Sequence, residues 1–336
     1  MKGLRRKLAA GLLLGFLVLL GLALLGDIRQ VGNHLASFQW SLLPLILAGT
    51  LFNYALRLVK WHYYLGLVGA GSLSWLESAR LFVAGFPLAV TPGKVGEALK
   101  GVWLNRVSGV PVARGIPVVI AERISDGLAV LVLSTLGVIA YPRYWPAFVI
   151  VLGLLLGGII VVQIRPLALW FLDLAGRIPL LKRFAPQLRE FYEGTYALFR
   201  PLPTLIAAGL GTIAWTGEGF AMYLVLQGLG VPAGWETFSL AVFTLSFSTV
   251  VGAVSALPGG LGAAEASIAG MLVLLLGVSA STASAATLLI RFATLWFGVG
   301  LGLLVWLVSR DLLFVDDKAL PPSQPPEESG YNTPAS

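Results

Sequence analysis

Cysteine is absent from the 336 residues, which removes disulfides, thiol nucleophiles and cysteine-based metal sites together. Histidine is nearly absent too. His34 and His62 are the two present, and they leave little imidazole for metal or acid–base chemistry. Charge is scarce: Asp, Glu, Lys and Arg make up 12% of the chain, where a soluble domain carries about 25%. No G-x-x-x-x-G-K-[ST] loop occurs, so nothing marks a site for nucleoside triphosphate hydrolysis. A Rossmann reading of Gly260-Leu261-Gly262 fails, because Glu265 takes the last glycine position and no strand precedes it. These gaps exclude a soluble enzyme, and no cofactor or metal is expected.

What is abundant is apolar surface, 57% of residues, in long runs of the kind that face lipid. The expected fold is an all-α integral membrane protein, a polytopic helical bundle. A span needs roughly 20 apolar residues. Six are expected: Leu8–Gly26, Ser41–Val59, Ile116–Ala140, Ala147–Gln163, Pro203–Leu226 and Ser284–Ser309. The first is longer than a signal-peptide core and is expected to be retained. Leu81–Val107 and Thr237–Gly277 are apolar but broken by Pro and Gly, and each predicts a hairpin of two short or re-entrant helices.

Lysine and arginine outside these spans fall 19 on one side, with only Arg29 and Arg143 on the other. That bias predicts cytoplasmic termini, and it accounts for the net charge of +7 without nucleic acid. Arg165 to Arg200 mixes basic and aromatic residues, which suits helices lying on the inner membrane surface; an ordinary cytoplasmic helical loop is the alternative. The whole reads as one transmembrane domain over 1–310. A Pro-, Ser- and Glu-rich tail, 311–336, is expected to be disordered on the cytoplasmic side.

One motif occurs twice. Thr91-Pro92-Gly93-Lys94-Val95-Gly96-Glu97 and Leu257-Pro258-Gly259-Gly260-Leu261-Gly262-Ala263-Ala264-Glu265 both read Pro-Gly-x-x-Gly followed by Glu. Each copy sits in a broken hairpin and precedes a helix bearing arginine: Pro92 to Arg123 is 31 positions, Pro258 to Arg291 is 33. The topology puts the two hairpins on opposite faces, so halves of about 41–140 and 203–309 read as an inverted repeat joined by 165–200. Proline ends a helix and glycine permits tight turns. Such backbone survives at membrane depth only where protein buries it or water lines it, and matching breaks in inverted halves point to a transporter's binding site.

Charges inside the spans need a partner or a cavity. Glu122 and Asp126 are four apart and share a helix face. Glu97 with Arg123 and Glu265 with Arg291 form the symmetric ion-pair choice. In the alternative, Arg123 and Arg291 receive an anionic headgroup, since the guanidinium fork suits phosphate, with Lys94 at the first hairpin and Glu218 inside the route. Arg57, Lys60 and Trp61 at the end of the second span read as interfacial anchors or headgroup contacts.

The ordered set Arg57-x-x-Lys60-Trp61, Pro92-Gly93-Lys94-Val95-Gly96-Glu97-x-x-Lys100, Glu122-Arg123-x-x-Asp126, Pro258-Gly259-Gly260-Leu261-Gly262-x-x-Glu265 and Arg291 resembles the transmembrane, flippase-like domain of the lysylphosphatidylglycerol synthase/flippase family, from about Leu8 to Ser309. The resemblance implies a lipid flippase that moves polar lipids between leaflets of the cytoplasmic membrane. The soluble aminoacyltransferase domain of full-length synthases is not expected after Arg310, so lysyl-lipid synthesis is not expected either. A non-catalytic partner of a separate lipid-modifying enzyme is the second reading. A lipid-linked glycosyl or phosphoryl transferase, with a cation at Glu97, Glu122 and Asp126, is the third.

Overall fold

The computed structural model describes residues 2–91, 96–140, 145–177 and 184–309. Pro92, Gly93 and Lys94 of the first motif and the tail 311–336 lie outside the described residues. Described elements are helices and short 3-10 or π turns. In chain order the helices are α1 (Lys2–Leu25), α2 (Ile28–Ala36), α3 (Leu43–Leu67), α4 (Trp75–Ala84), α5 (Leu99–Ser108), α6 (Val112–Ala140) and α7 (Trp145–Gln163). They continue as α8 (Arg165–Arg177), α9 (Ala185–Leu198), α10 (Pro201–Gly228), α11 (Trp235–Val254), α12 (Ala263–Leu276), α13 (Ala280–Arg291) and α14 (Phe297–Val308).

Among the described residues, five helices are long and apolar enough to cross a membrane, or up to seven if each of two bent helix pairs is one span. Their outer faces carry large apolar side chains in the open: Phe16 on α1, Leu154 on α7, Leu205 on α10, Leu274 on α12 and Leu307 on α14. Water does not tolerate apolar surface on that scale, and lipid does. The molecule is a multi-pass membrane protein.

The two broken hairpins differ. In the first, α4 and α5 have ten residues each, about 15 Å of helix and half the depth of a bilayer core. In the second, α11 has 20 residues and Pro258–Leu276 has 19, each long enough and apolar enough to cross by length and composition. The reason is the length of the interruption. In the first hairpin α4 ends at Ala84 and α5 begins at Leu99, with the turn Phe86–Val90 between them, whereas a compact turn around Pro258–Gly260 joins α11 to α12.

Both breaks are packed inside the bundle. Along α1, Gly11 lies against the Val90 carbonyl, Gly15 against Leu261, and Gly262 against Val18. The turn Phe86–Val90 also touches the turn Pro258–Gly260. At Gly260, φ is +67°, and a Cβ would stand 2.9 Å from the Gly252 Cα. Only glycine satisfies both the left-handed backbone and that approach.

Segment 165–200 does not lie wholly on a surface. Trp170 and Phe184 are exposed, but Tyr192, Leu198 and Phe199 are buried. Helix α9 packs along α6, with Gly194 against Arg114 and Pro117. A 66° bend separates α9 from α10.

The apolar core is divided. One cluster gathers Trp61, Leu65, Phe82, Leu104 and Ala121; the other gathers Ile46, Met222, Leu245, Leu272 and Ile290. Helices α3 and α10 contribute to both, and polar residues occupy the seam between them.

Candidate functional site

The seam holds a cavity of about 520 Å³, lined by Arg57, Lys100, Arg123 and Arg291 with Glu97, Asp126 and Glu218, among others. Arg57, Asp126, Glu218 and Arg291 each stand at least ten residues from either end of α3, α6, α10 and the helical run Ala280–Val308, so the cavity is built from helix middles and not from helix ends.

On the first-hairpin side, α6 supplies Glu122 and Asp126 from one face, and α3 supplies Arg57 and Lys60 from one face. Arg57 Nη2 donates to Glu122 Oε1 at 2.7 Å and lies 3.2 Å from Asp126 Oδ2. Lys60 Nζ donates to Asp126 Oδ1 at 2.5 Å. Lys100 reaches across from α5 to Glu122 Oε2 at 3.1 Å. Its aliphatic stem passes through the space that a Cβ on Gly85 would fill, and its ammonium lies 4.7 Å from the Trp61 ring centroid and 5.2 Å from that of Phe82. The interfacial placement of Arg57, Lys60 and Trp61 is therefore corrected: Arg57 is 8% exposed, and Lys60 and Trp61 are fully buried. Two buried carboxylates on α6 require cations that have left water with them, and the Arg57–Lys60 face of α3 provides two.

Arg123 points the other way from the same turn of α6. Its Nη2 donates to Glu122 at 3.1 Å, and its Nε lies 3.4 Å from Glu97 Oε2. That contact is an ion pair without a hydrogen bond. The Arg123 side chain is 38% exposed, toward the cavity it lines.

The second half builds a parallel arrangement around the turn Pro258–Gly260. Glu265 Oε2 accepts from the Gly262 amide at 2.7 Å, closing the first turn of α12. Its other oxygen accepts from Arg291 Nε at 2.5 Å. Arg291 Nη2 also donates to the Gly259 carbonyl at 3.0 Å. Directly after Arg291 the helix widens into a π turn, Phe292–Trp296, and the Thr294 carbonyl accepts from Tyr54 Oη at 2.5 Å. Such π turns interrupt the helical ladder and recur at functional sites. The ion pairs Glu97–Arg123 and Glu265–Arg291 are thus both present.

Glu218 faces the same cavity from α10 and makes no hydrogen bond or ion pair with a described residue. Counting the buried partners behind the lining, five cations (Arg57, Lys60, Lys100, Arg123, Arg291) meet five carboxylates (Glu97, Glu122, Asp126, Glu218, Glu265). Val151, Leu155 and Val254 line one side, and Val254 is 75% exposed, so the polar cavity borders the lipid-facing surface. Sequence reasoning did not name Lys100, Tyr54 or Trp215 as site residues. Lys100 had a signal, three residues beyond Glu97 in the first motif; the two aromatics had none.

No group of three or more His, Cys, Asp or Glu among the described residues is placed to hold a metal ion. The oxygens of Glu122 and Asp126 are directed at Lys and Arg.

The family model described as "Lysylphosphatidylglycerol synthase TM region" matches residues 9–302, which takes in every residue of this cavity. A "UPF0104 membrane protein" of Methanothermobacter thermautotrophicus is 25% identical over 286 residues, covering 79% of this chain and 82% of that protein. The chain belongs to the family of the lysylphosphatidylglycerol synthase transmembrane region.

Proposed function

We propose that the protein is a lipid translocase of the cytoplasmic membrane, with both termini cytoplasmic, and that it moves an anionic or otherwise polar lipid between leaflets. The observation that carries this reading is the 520 Å³ cavity that presents Arg123 and Arg291 beside apolar lining residues, of which Val254 is exposed on the outer surface. A headgroup enters the polar seam, its phosphate meets Arg123 first, and the acyl chains stay against Val151, Leu155 and Val254. Arg123 suits this role because its side chain is about three times as exposed as that of Arg291, 38% against 12%. Arg291 is held by Glu265 and a backbone carbonyl, and it lends the cavity fixed positive charge. The broken segments, read as an inverted repeat, give each leaflet its own gate around one site. The family's link to lipid handling supports the same assignment. The reading is transport, because four of the five carboxylates are held by cations and the cavity lies open beside apolar surface. Partnership with a separate lipid-modifying enzyme is compatible with it.

The test is mass spectrometry of lipids that co-purify with the protein in mild detergent, beside Arg123→Gln. One anionic or glycosylated class enriched on the wild type and lost from a monodisperse variant supports the reading. Bulk lipid on both proteins overturns it.

A further inference from the structure

We propose that Glu218 takes up one proton when an anionic headgroup binds, so that lipid and proton move together. This rests on the headgroup reading above and adds the coupled ion.

Four of the five carboxylates in the seam are committed. Glu122 has Arg57, Lys100 and Arg123 around it; Asp126 has Lys60 and Arg57; Glu97 has Arg123; Glu265 has Arg291. Protonating Glu122, Asp126 or Glu265 removes one member of a buried pair, which is strongly destabilising, and protonating Glu97 gives up its ion pair with the partly exposed Arg123. Glu218 is 4% exposed, lines the cavity and has no cation within ion-pair distance among the described residues. Protonating it breaks nothing.

The groups facing it come from every side. Tyr54 and Arg57 line the same cavity from α3, Asp126 from α6 and Arg291 from the end of α13. Helix α11 adds Ser248 and Thr249 to the lining, their hydroxyls donating to Ser267 Oγ and the Leu245 carbonyl. Trp215, one turn earlier on α10, has an indole N–H with no acceptor.

Charge balance then dictates the exchange. Among the described residues, the ten groups when ionised leave the seam neutral, and a monoanionic headgroup entering it would add a negative charge in a low-dielectric interior. A proton from solution on a Glu218 oxygen makes the seam +1, and the headgroup restores neutrality. Release on the other side returns headgroup and proton together, so the paired network is never opened.

Isothermal titration of the full-length protein in detergent with dihexanoyl phosphatidylglycerol, in buffers of different ionisation enthalpy, measures the proton directly. Dihexanoyl phosphatidylcholine serves as the zwitterionic control. The expected result is uptake of about one proton per phosphatidylglycerol, with affinity falling about tenfold per pH unit once Glu218 is ionised. In Glu218→Gln the uptake is lost, and affinity no longer depends on pH over that range. Binding by the wild type without any buffer dependence overturns the proposal and leaves the headgroup site standing. The same outcome follows if Glu218→Gln takes up protons as the wild type does. Phosphatidylglycerol binding no tighter than phosphatidylcholine overturns both. Because the buffer comparison is made on the wild type, the conclusion survives a variant that fails to fold.

Discussion

Replacing Glu122 with glutamine keeps the volume of the side chain and removes its charge from the centre of the ion network. In the structure this fully buried carboxylate faces Arg57 at 2.7 Å and Lys100 at 3.1 Å, whose side chains are 9% and 3% exposed. Arg123, at 3.1 Å, is 38% exposed, and its share is discounted for screening. Breaking a buried pair by removing one partner costs about 3–5 kcal/mol, because the remaining charge has no solvent to return to. Glutamine can still accept one hydrogen bond but cannot neutralise two buried cations, so Glu122→Gln belongs in that range. The comparison is Glu193→Gln. Its pair with Arg165 at 3.0 Å is 35–49% exposed, and exposed pairs contribute about 0–1 kcal/mol. Reversible unfolding in mixed micelles, titrated with SDS, measures both. Adding Lys100→Met to Glu122→Gln removes one of the stranded cations and should recover part of the loss, which a double-mutant cycle reads as coupling. If Glu122→Gln costs no more than Glu193→Gln, the network does not hold the seam together, and the account of Arg57, Lys60 and Lys100 fails with it.

Gly260→Ala should cost at least about 2 kcal/mol in the same assay, since a left-handed L-residue alone costs roughly 1–2 kcal/mol and its Cβ would meet the Gly252 backbone at 2.9 Å. Gly270→Ala, in α12 with nothing within 4 Å of the added methyl, should be neutral or gain up to about 1 kcal/mol from helix propensity. Arg123→Lys should weaken phosphatidylglycerol binding at least about tenfold through loss of the bidentate fork while leaving the unfolding midpoint near wild type; titration calorimetry and the SDS midpoint separate the two. Gly85→Ala should displace the Lys100 stem and reproduce the stability loss of Lys100→Ala.

Much of the site was legible from residue spacing. Glu122 and Asp126 four apart, and Arg57 and Lys60 three apart, each define a helix face, and charges in apolar spans demand partners. The pairs Glu97–Arg123 and Glu265–Arg291 followed from the repeated motif, because each glutamate stands at a fixed distance before its arginine. Arg57, Lys60 and Trp61 were misplaced for a physical reason. A cluster of cations and aromatics near a predicted helix end has the composition of an interfacial belt, and in sequence a buried network looks the same. The structure runs α3 on to Leu67, which draws Arg57 and Lys60 into the bundle. The lengths of the helices in the second hairpin were not legible, because proline and glycine mark a break without stating how many residues it occupies.

Composition and apolar run length by themselves determined that this chain is a helical membrane protein, since a span is a local property set by bilayer thickness and backbone hydrogen bonding. The doubled motif determined where the helices break. Which cation faces which carboxylate was decided only by packing. Lys100 reaches Glu122 because Gly85 leaves room for its stem, and among the described residues Glu218 has no ion-pair partner because the cations lining the cavity are engaged by other carboxylates. Those are facts about distance between helices far apart in the chain, and spacing along one strand of sequence does not encode them.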